Sequence, residues 1–125
     1  MNKPLKVLMV EDSEDDALLL LQEFKRAGYD LSHARVDSRT ALASALELGG
    51  WDIVLSDFNL PGFDGIEALR LVRARSPDLP FMLISGAVGE DVAVAAMRAG
   101  AQDYILKDNL ARLVPAVERE LREAE

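Results

Sequence analysis

The sequence predicts an α/β domain, a doubly wound five-stranded parallel sheet, a fold whose five strands most often take the order 2-1-3-4-5. Two observations carry that expectation. Short aliphatic or β-branched blocks alternate with longer amphipathic ones five times over, and the connections between them are brief. Strict β-α alternation of this kind calls for parallel strands, and right-handed crossovers place helices on both faces of the sheet. The chain has 125 residues, enough for one core and too few for two. No linker, repeat or low-complexity segment interrupts it, so residues 1–125 are expected to form one domain.

The elements follow in order. "KVLMV" (6–10) reads as the first strand. Ser13, followed by Asp16, makes a capping box that opens a helix with Ala17, Leu20, Leu21 and Phe24 on one face, closed by Gly28. The leucine run at 18–21 reads as core. "LSHARV" (31–36) is the second strand, on an edge that leaves His33 at the surface. The second helix runs from about Ser38 to Glu47, turning Leu42, Ala45 and Leu46 inward and ending at Gly49-Gly50. "DIVLSD" (52–57) is the third strand; the helix after it carries Ile66, Leu69 and Val72 and stops before Pro77. "PFMLIS" (80–85) leads to the Ala-rich "EDVAVAAMRAG", with Ala93, Ala96 and Met97 inward and Gly100 as its stop. "DYILK" (103–107) precedes a helix with Leu110, Leu113, Val114, Val117 and Leu121 on one face, where Glu118 and Arg122 form an i, i+4 pair.

Composition excludes several functions. Apolar residues make up 50% of the chain and charged residues 29%, the balance of a folded domain. No apolar run approaches the roughly 18 residues of a membrane span, and the N-terminus lacks the apolar core and cleavage site of a signal peptide. A cytoplasmic location without membrane contact is therefore expected. With no cysteine and one histidine, disulfides, zinc sites and thiol chemistry drop out. A net charge of -8 without a basic face argues against nucleic acid as a partner.

In an open parallel sheet the functional crevice lies at the carboxyl ends of the strands, near the point where strand order reverses. The first strand delivers Glu11 and Asp12 there, the third Asp57, the fourth Ser85 and the fifth Lys107. Neighbouring strands stand about 4.8 Å apart, so Asp12 and Asp57 can reach one small cation. Lys107 lies two strands away, roughly 10 Å at the backbone, a gap its four-carbon stem largely closes. Three carboxylates against one ammonium leave an excess negative charge that a divalent ion balances. Oxygen-only ligands in this number favour Mg²⁺ with retained waters over Ca²⁺. A carboxylate kept ionised beside Mg²⁺ can attack phosphorus to give an acyl phosphate, with Mg²⁺ and Lys107 offsetting charge on the phosphoryl oxygens.

These pieces resemble the receiver domains of two-component response regulators, over essentially the whole chain. The matches are "VLMVEDSEDD", "DIVLSDFNLPGFDG", "MLISG" and "DYILK". The resemblance implies a flavodoxin-like fold and a signalling switch that is not an ordinary enzyme but catalyses its own phosphorylation and dephosphorylation. It implies Asp57 as phosphoacceptor, with Asp12, Asp57 and the backbone carbonyl of Asn59 as direct Mg²⁺ ligands and Glu11 as a ligand through water. Ser85 is then the switch hydroxyl, and Tyr104 turns inward to fill the space it vacates. The phosphodonor is a sensor histidine kinase or a histidine phosphotransfer protein, and the output goes to an unidentified downstream target. The face made by the fourth helix, fifth strand and fifth helix is the family's usual output surface. Lifetime of the phosphoryl group is influenced by positions 59 and 87, here Asn59 and Ala87.

Other readings compete. A flavin or dinucleotide domain needs a Gly- or Ser/Thr-rich phosphate loop after the first strand, where "VEDSEDD" would repel phosphate. A dehalogenase-type phosphatase also uses an Asp nucleophile with Mg²⁺, but its nucleophile lies on the first strand and its second acid is Asn59 here. A degenerate receiver serving only as a phosphorylation-independent interaction module is the serious alternative. One departure from the family pattern bears on geometry, because Lys107 is followed by Asp108 where most receivers have a cis proline. A cis non-proline bond costs roughly 2.5 to 4 kcal/mol. The Lys107-Asp108 bond is therefore expected to be trans, with Asp108 or Asn109 capping the last helix.

Overall fold

The computed structural model describes residues 3–86 and 90–124. Strands β1 (Lys3–Val10), β2 (Tyr29–Val36), β3 (Ile53–Ser56), β4 (Phe81–Ser85) and β5 (Asp103–Leu106) form one parallel sheet, ordered β2-β1-β3-β4-β5. Between them run α1 (Glu14–Arg26), α2 (Arg39–Leu48), α3 (Gly65–Arg75) and α4 (Glu90–Arg98), and α5 (Leu113–Ala124) closes the domain. The order 2-1-3-4-5 is the one expected of this fold. A two-residue antiparallel ladder, Asn59–Leu60 against Phe63–Asp64, shapes the loop after β3 and was not foreseen.

Side-chain alternation along the strands divides the core in two. Val7, Met9, Ile53, Leu55, Met82, Ile84 and Ile105 face α1 and α5, where Leu20, Leu21, Phe24, Leu113 and Val117 meet them. Leu8, Val10, Val54, Phe81 and Leu83 face the other way, onto Leu42 and Leu46 of α2, Leu69 and Val72 of α3 and Ala96 of α4. Both faces of β1, β3 and β4 are thus covered, which is why those strands read as continuous apolar runs. Edge strand β2 has one open side and leaves His33 exposed.

Three expectations need correction. Leu20 and Leu21 are buried, but Leu18 and Leu19 are about half exposed, because four consecutive helical residues sweep most of the circumference. In α4 Ala96 is buried and Val92 and Ala93 half-buried, at helical spacing, which turns Met97 to solvent. Glu118 does not pair with Arg122; it accepts a hydrogen bond from the Tyr29 hydroxyl at 2.7 Å, and the i, i+4 ion pair of α5 is Arg119–Glu123.

The entry to α5 also differs. Asn109 makes no side-chain cap. Its N–H instead donates to the Leu106 carbonyl, and a single 3₁₀ turn, Leu110–Arg112, satisfies the first backbone groups. Pro115 then occupies the first turn of α5, where a missing N–H costs nothing. No cis peptide occurs among the described residues, so the Lys107-Asp108 bond is trans as expected. No described helix is long and apolar enough to cross a membrane.

Candidate functional site

The site is built where the strands stop, and backbone bonds that prolong the ladder hold each residue in place. Glu11 N–H donates to the Val36 carbonyl, Asp57 N–H to Val10 and Lys107 N–H to Ser85, at 2.9, 2.9 and 2.8 Å. Past that ladder the side chains turn into the crevice. Oxygens of Glu11, Asp12 and Asp57 all lie within 4.8 Å of one another. Such a set of carboxylates, with Asp12 open to solvent, fits one hard divalent cation that keeps some of its waters.

Lys107 crosses the gap as its stem length allows. Its Nζ stands 3.1 Å from Asp57 Oδ2, 3.0 Å from Glu11 Oε1 and 2.6 Å from Asp16 Oδ2. The other Asp57 oxygen, Oδ1, accepts from the Phe58 N–H at 2.7 Å, so the carboxylate is fixed at both ends. Glu11 is nearly inaccessible, and its Oε2 accepts from the Ser13 N–H at 3.2 Å. Burial lifts the Glu11 carboxyl to about 6; donation from Lys107 and Ser13 works against that, and the neighbouring Asp57 charge adds to it. For Lys107 burial works downward, but the carboxylates of Asp16, Glu11 and Asp57 outweigh it and hold the ammonium above its ordinary value. The two directions agree physically: one lysine gains three partners, while each carboxylate has only a share of one lysine.

Ser85 ends β4 completely buried, and its hydroxyl has no hydrogen-bond partner among the described residues. Tyr104, midway along β5 and paired with Leu83, also buries its hydroxyl without a partner among the described residues. Its ring already packs with the α2, α3 and α4 side of the core. Asn59 opens the small ladder two residues beyond Asp57, with an exposed side chain. Ala87 lies outside the described residues. Asp16 is the residue that sequence reasoning missed, having been read only as the partner of Ser13 in a capping box. The signal was available, since side chains in the first turn of a helix lean toward its N-terminus, and α1 begins on the same rim.

Gly65 sets how closely α3 approaches this loop. Its N–H donates to the Phe58 carbonyl at 2.7 Å, and a Cβ there would lie 2.7 Å from the Asp57 carbonyl oxygen.

Comparison with known proteins bears on this arrangement. The family model of the response regulator receiver domain matches residues 7–118. The chain belongs to that family. Receivers are signalling switches, and response regulators work with histidine kinases and downstream targets. This receiver is 39% identical over 107 residues to the response regulator protein FleR of Pseudomonas aeruginosa, an alignment covering 86% of the chain and 22% of FleR. It is 36% identical over 118 residues to the transcriptional regulatory protein PrrA of Mycobacterium tuberculosis, covering 94% of the chain and 50% of PrrA. The receiver thus spans half or less of these curated relatives. In three dimensions it superposes on the receiver domain of the sensor histidine kinase PA1611 from P. aeruginosa, a structure with a magnesium ion coordinated in its active site cleft. That match has a TM-score of 0.79 and 23% identity, over 95% of this chain and 98% of the other.

Proposed function

We propose that Asp57 accepts a phosphoryl group from the phosphohistidine of a sensor histidine kinase or a histidine phosphotransfer protein, in a Mg²⁺-dependent reaction. The observation that carries this reading is the convergence of Glu11, Asp12 and Asp57 within 4.8 Å, with the Lys107 ammonium 3.1 Å from Asp57. An Asp57 oxygen attacks phosphorus; the P–N bond to the donor histidine breaks, its electron pair stays on the imidazole, and an acyl phosphate remains. Asp12 and Asp57, with the Asn59 carbonyl, would hold the ion directly and Glu11 would hold it through water. When bound, Mg²⁺ supplies positive charge opposite the phosphoryl oxygens. Lys107 adds a second positive centre from the other side of the sheet edge, and Phe58 N–H keeps the carboxylate oriented.

The two unpartnered hydroxyls give the switch its substance. A buried hydroxyl without a partner is costly, on the order of 1–3 kcal/mol. Ser85 recovers that cost by donating to a phosphoryl oxygen on Asp57, and Tyr104, two residues before Ser85's register partner Leu106 in β5, is placed to respond. The surface that changes is the face of α4, β5 and α5, where Val94, Met97 and Leu106 leave apolar side chains exposed for a downstream protein. With a net charge of -8 this unit does not itself contact nucleic acid, and it works in the cytoplasm beside its kinase.

The test is incorporation of phosphate from acetyl phosphate. Labelling that needs Mg²⁺, is labile to hydroxylamine and is lost in Asp57→Asn is the expected result. Absence of labelling in the parent chain would favour the interaction-module reading instead.

A further inference from the structure

The geometry points to Asp16 as a positioning residue for Lys107, holding the ammonium at the rim when Glu11 and Asp57 turn to the cation. This rests on the Mg²⁺-dependent reading above. Asp16 is the third helical residue after the Ser13 cap, the position from which an acid ordinarily reaches back to the cap's own N–H. Here the box is only half made. Ser13 Oγ accepts from the Asp16 N–H at 3.2 Å, but the Ser13 N–H donates to Glu11 Oε2. That substitution frees the Asp16 carboxylate, which takes the shortest of the three contacts to Lys107, at 2.6 Å.

The consequence follows from who else needs those carboxylates. Glu11 and Asp57 belong to the three-carboxylate cluster suited to a cation, whereas Asp16 lies outside it. Once an ion takes Glu11 and Asp57, Asp16 is, among the described residues, the one carboxylate partner of Lys107 still uncommitted. Without it, the ammonium would face a cation with nothing to hold it, and its long stem would swing into solvent. Asp16 thus keeps the lysine near Asp57 until a phosphoryl group arrives to share it.

The side-chain ammonium hydrogens of Lys107 report this directly, because their exchange with water slows when the group is held. The Lys107 signal is assigned by its loss in Lys107→Ala. Exchange is measured by NMR on the full chain with and without saturating Mg²⁺, in the parent, Asp16→Asn, Asp16→Glu and Asp15→Asn. Asp15 is the control: an exposed acid of the same helical turn with no contact to Lys107 among the described residues. In the parent, protection persists when Mg²⁺ is added. In Asp16→Asn, exchange with Mg²⁺ rises about threefold, the scale of a partly exposed ion pair, and by less without Mg²⁺. Asp16→Glu restores protection and Asp15→Asn leaves it unchanged. Loss of protection in the parent on adding Mg²⁺, or equal effects of Asp16→Asn and Asp15→Asn, would overturn the inference while leaving Mg²⁺ binding and Asp57 labelling intact. A parent chain that gives no calorimetric signal with Mg²⁺ would overturn both it and the reading it rests on.

Discussion

Gly65→Ala adds one methyl group beside the loop that carries Asp57, and its cost can be worked from three distances. The new Cβ would lie 2.6 Å from Leu83 Cδ1, 2.7 Å from the Asp57 carbonyl oxygen and 3.0 Å from Phe58 Cα. Leu83 can shift its terminal methyl, but the other two atoms are backbone, held by the 2.7 Å bond from Gly65 N–H to the Phe58 carbonyl. Gly65 is not among the left-handed glycines, so alanine suits its dihedral angles and the penalty is purely one of contact. Overpacking of this kind costs about 1–3 kcal/mol. Alanine's helical advantage over glycine returns less than about 1 kcal/mol in a first turn. The net loss, about 1–2 kcal/mol, corresponds to a fall in Tm of roughly 3–8 °C for a chain of this length. Relief must come by pushing Asp57 and Phe58 outward, so phosphate incorporation should fall about tenfold, more than folding at assay temperature explains. Calorimetry and the acetyl phosphate assay measure the two effects. An unchanged Tm with undiminished labelling would refute the claim that α3 and the Asp57 loop are in rigid contact.

Glu11, lifted to about 6 against its ordinary 4.5, binds its proton more tightly in the folded chain than in the unfolded one. Its contribution to stability is therefore fully present below about pH 4.5 and lost as pH rises through 6, up to about 2 kcal/mol in all. Comparing unfolding of the parent and Glu11→Gln from pH 4.5 to 7 isolates it; a difference that does not move with pH counts against the burial of this acid, and Mg²⁺ affinity should weaken below pH 6 as Glu11 takes up its proton. Arg73 donates to the Leu79 and Gly100 carbonyls and to Gln102 Oε1 at 2.6, 2.7 and 2.8 Å, tying the end of α4 to the start of β4. Arg73→Ala should cost about 2–4 kcal/mol and speed amide exchange at residues 99–102; protection there equal to the parent's would show that the loop stands without the arginine.

The crevice was legible because strand ends are. A run of apolar residues that stops at Glu11, Asp57 or Lys107 marks both the end of a buried strand and the charge delivered to the rim. What the residues alone did not disclose was how those charges share partners. Asp16 looked like a capping-box acid because its alternative bond depends on Ser13 N–H having gone to Glu11, a choice made by the loop and not by local spacing. Met97 sat at an inward spacing on paper, yet the Ala-rich side of α4 approaches the sheet through Ala96 and leaves the longer side chain outside. Asn109 is a good capping type, but the turn from Leu106 uses its backbone and a 3₁₀ turn takes over the task. Glu118 was drawn off its own helix by Tyr29, a contact 89 residues distant in sequence. The misses at Asp16 and Glu118 are each a competition between a local partner and a tertiary one, which the fold decides.

The central claim is that Asp57, in the company of Glu11, Asp12 and Lys107, is the atom-level acceptor of a phosphoryl group. Its most direct test is to treat the chain with acetyl phosphate and Mg²⁺, reduce the product with borohydride, and map the reduced aspartate by peptide mass spectrometry. The account predicts reduction at position 57 alone, dependent on Mg²⁺ and abolished by chelation. Reduction at Asp12 or Asp16 instead, or at no residue in a folded chain with Mg²⁺ bound, would contradict it.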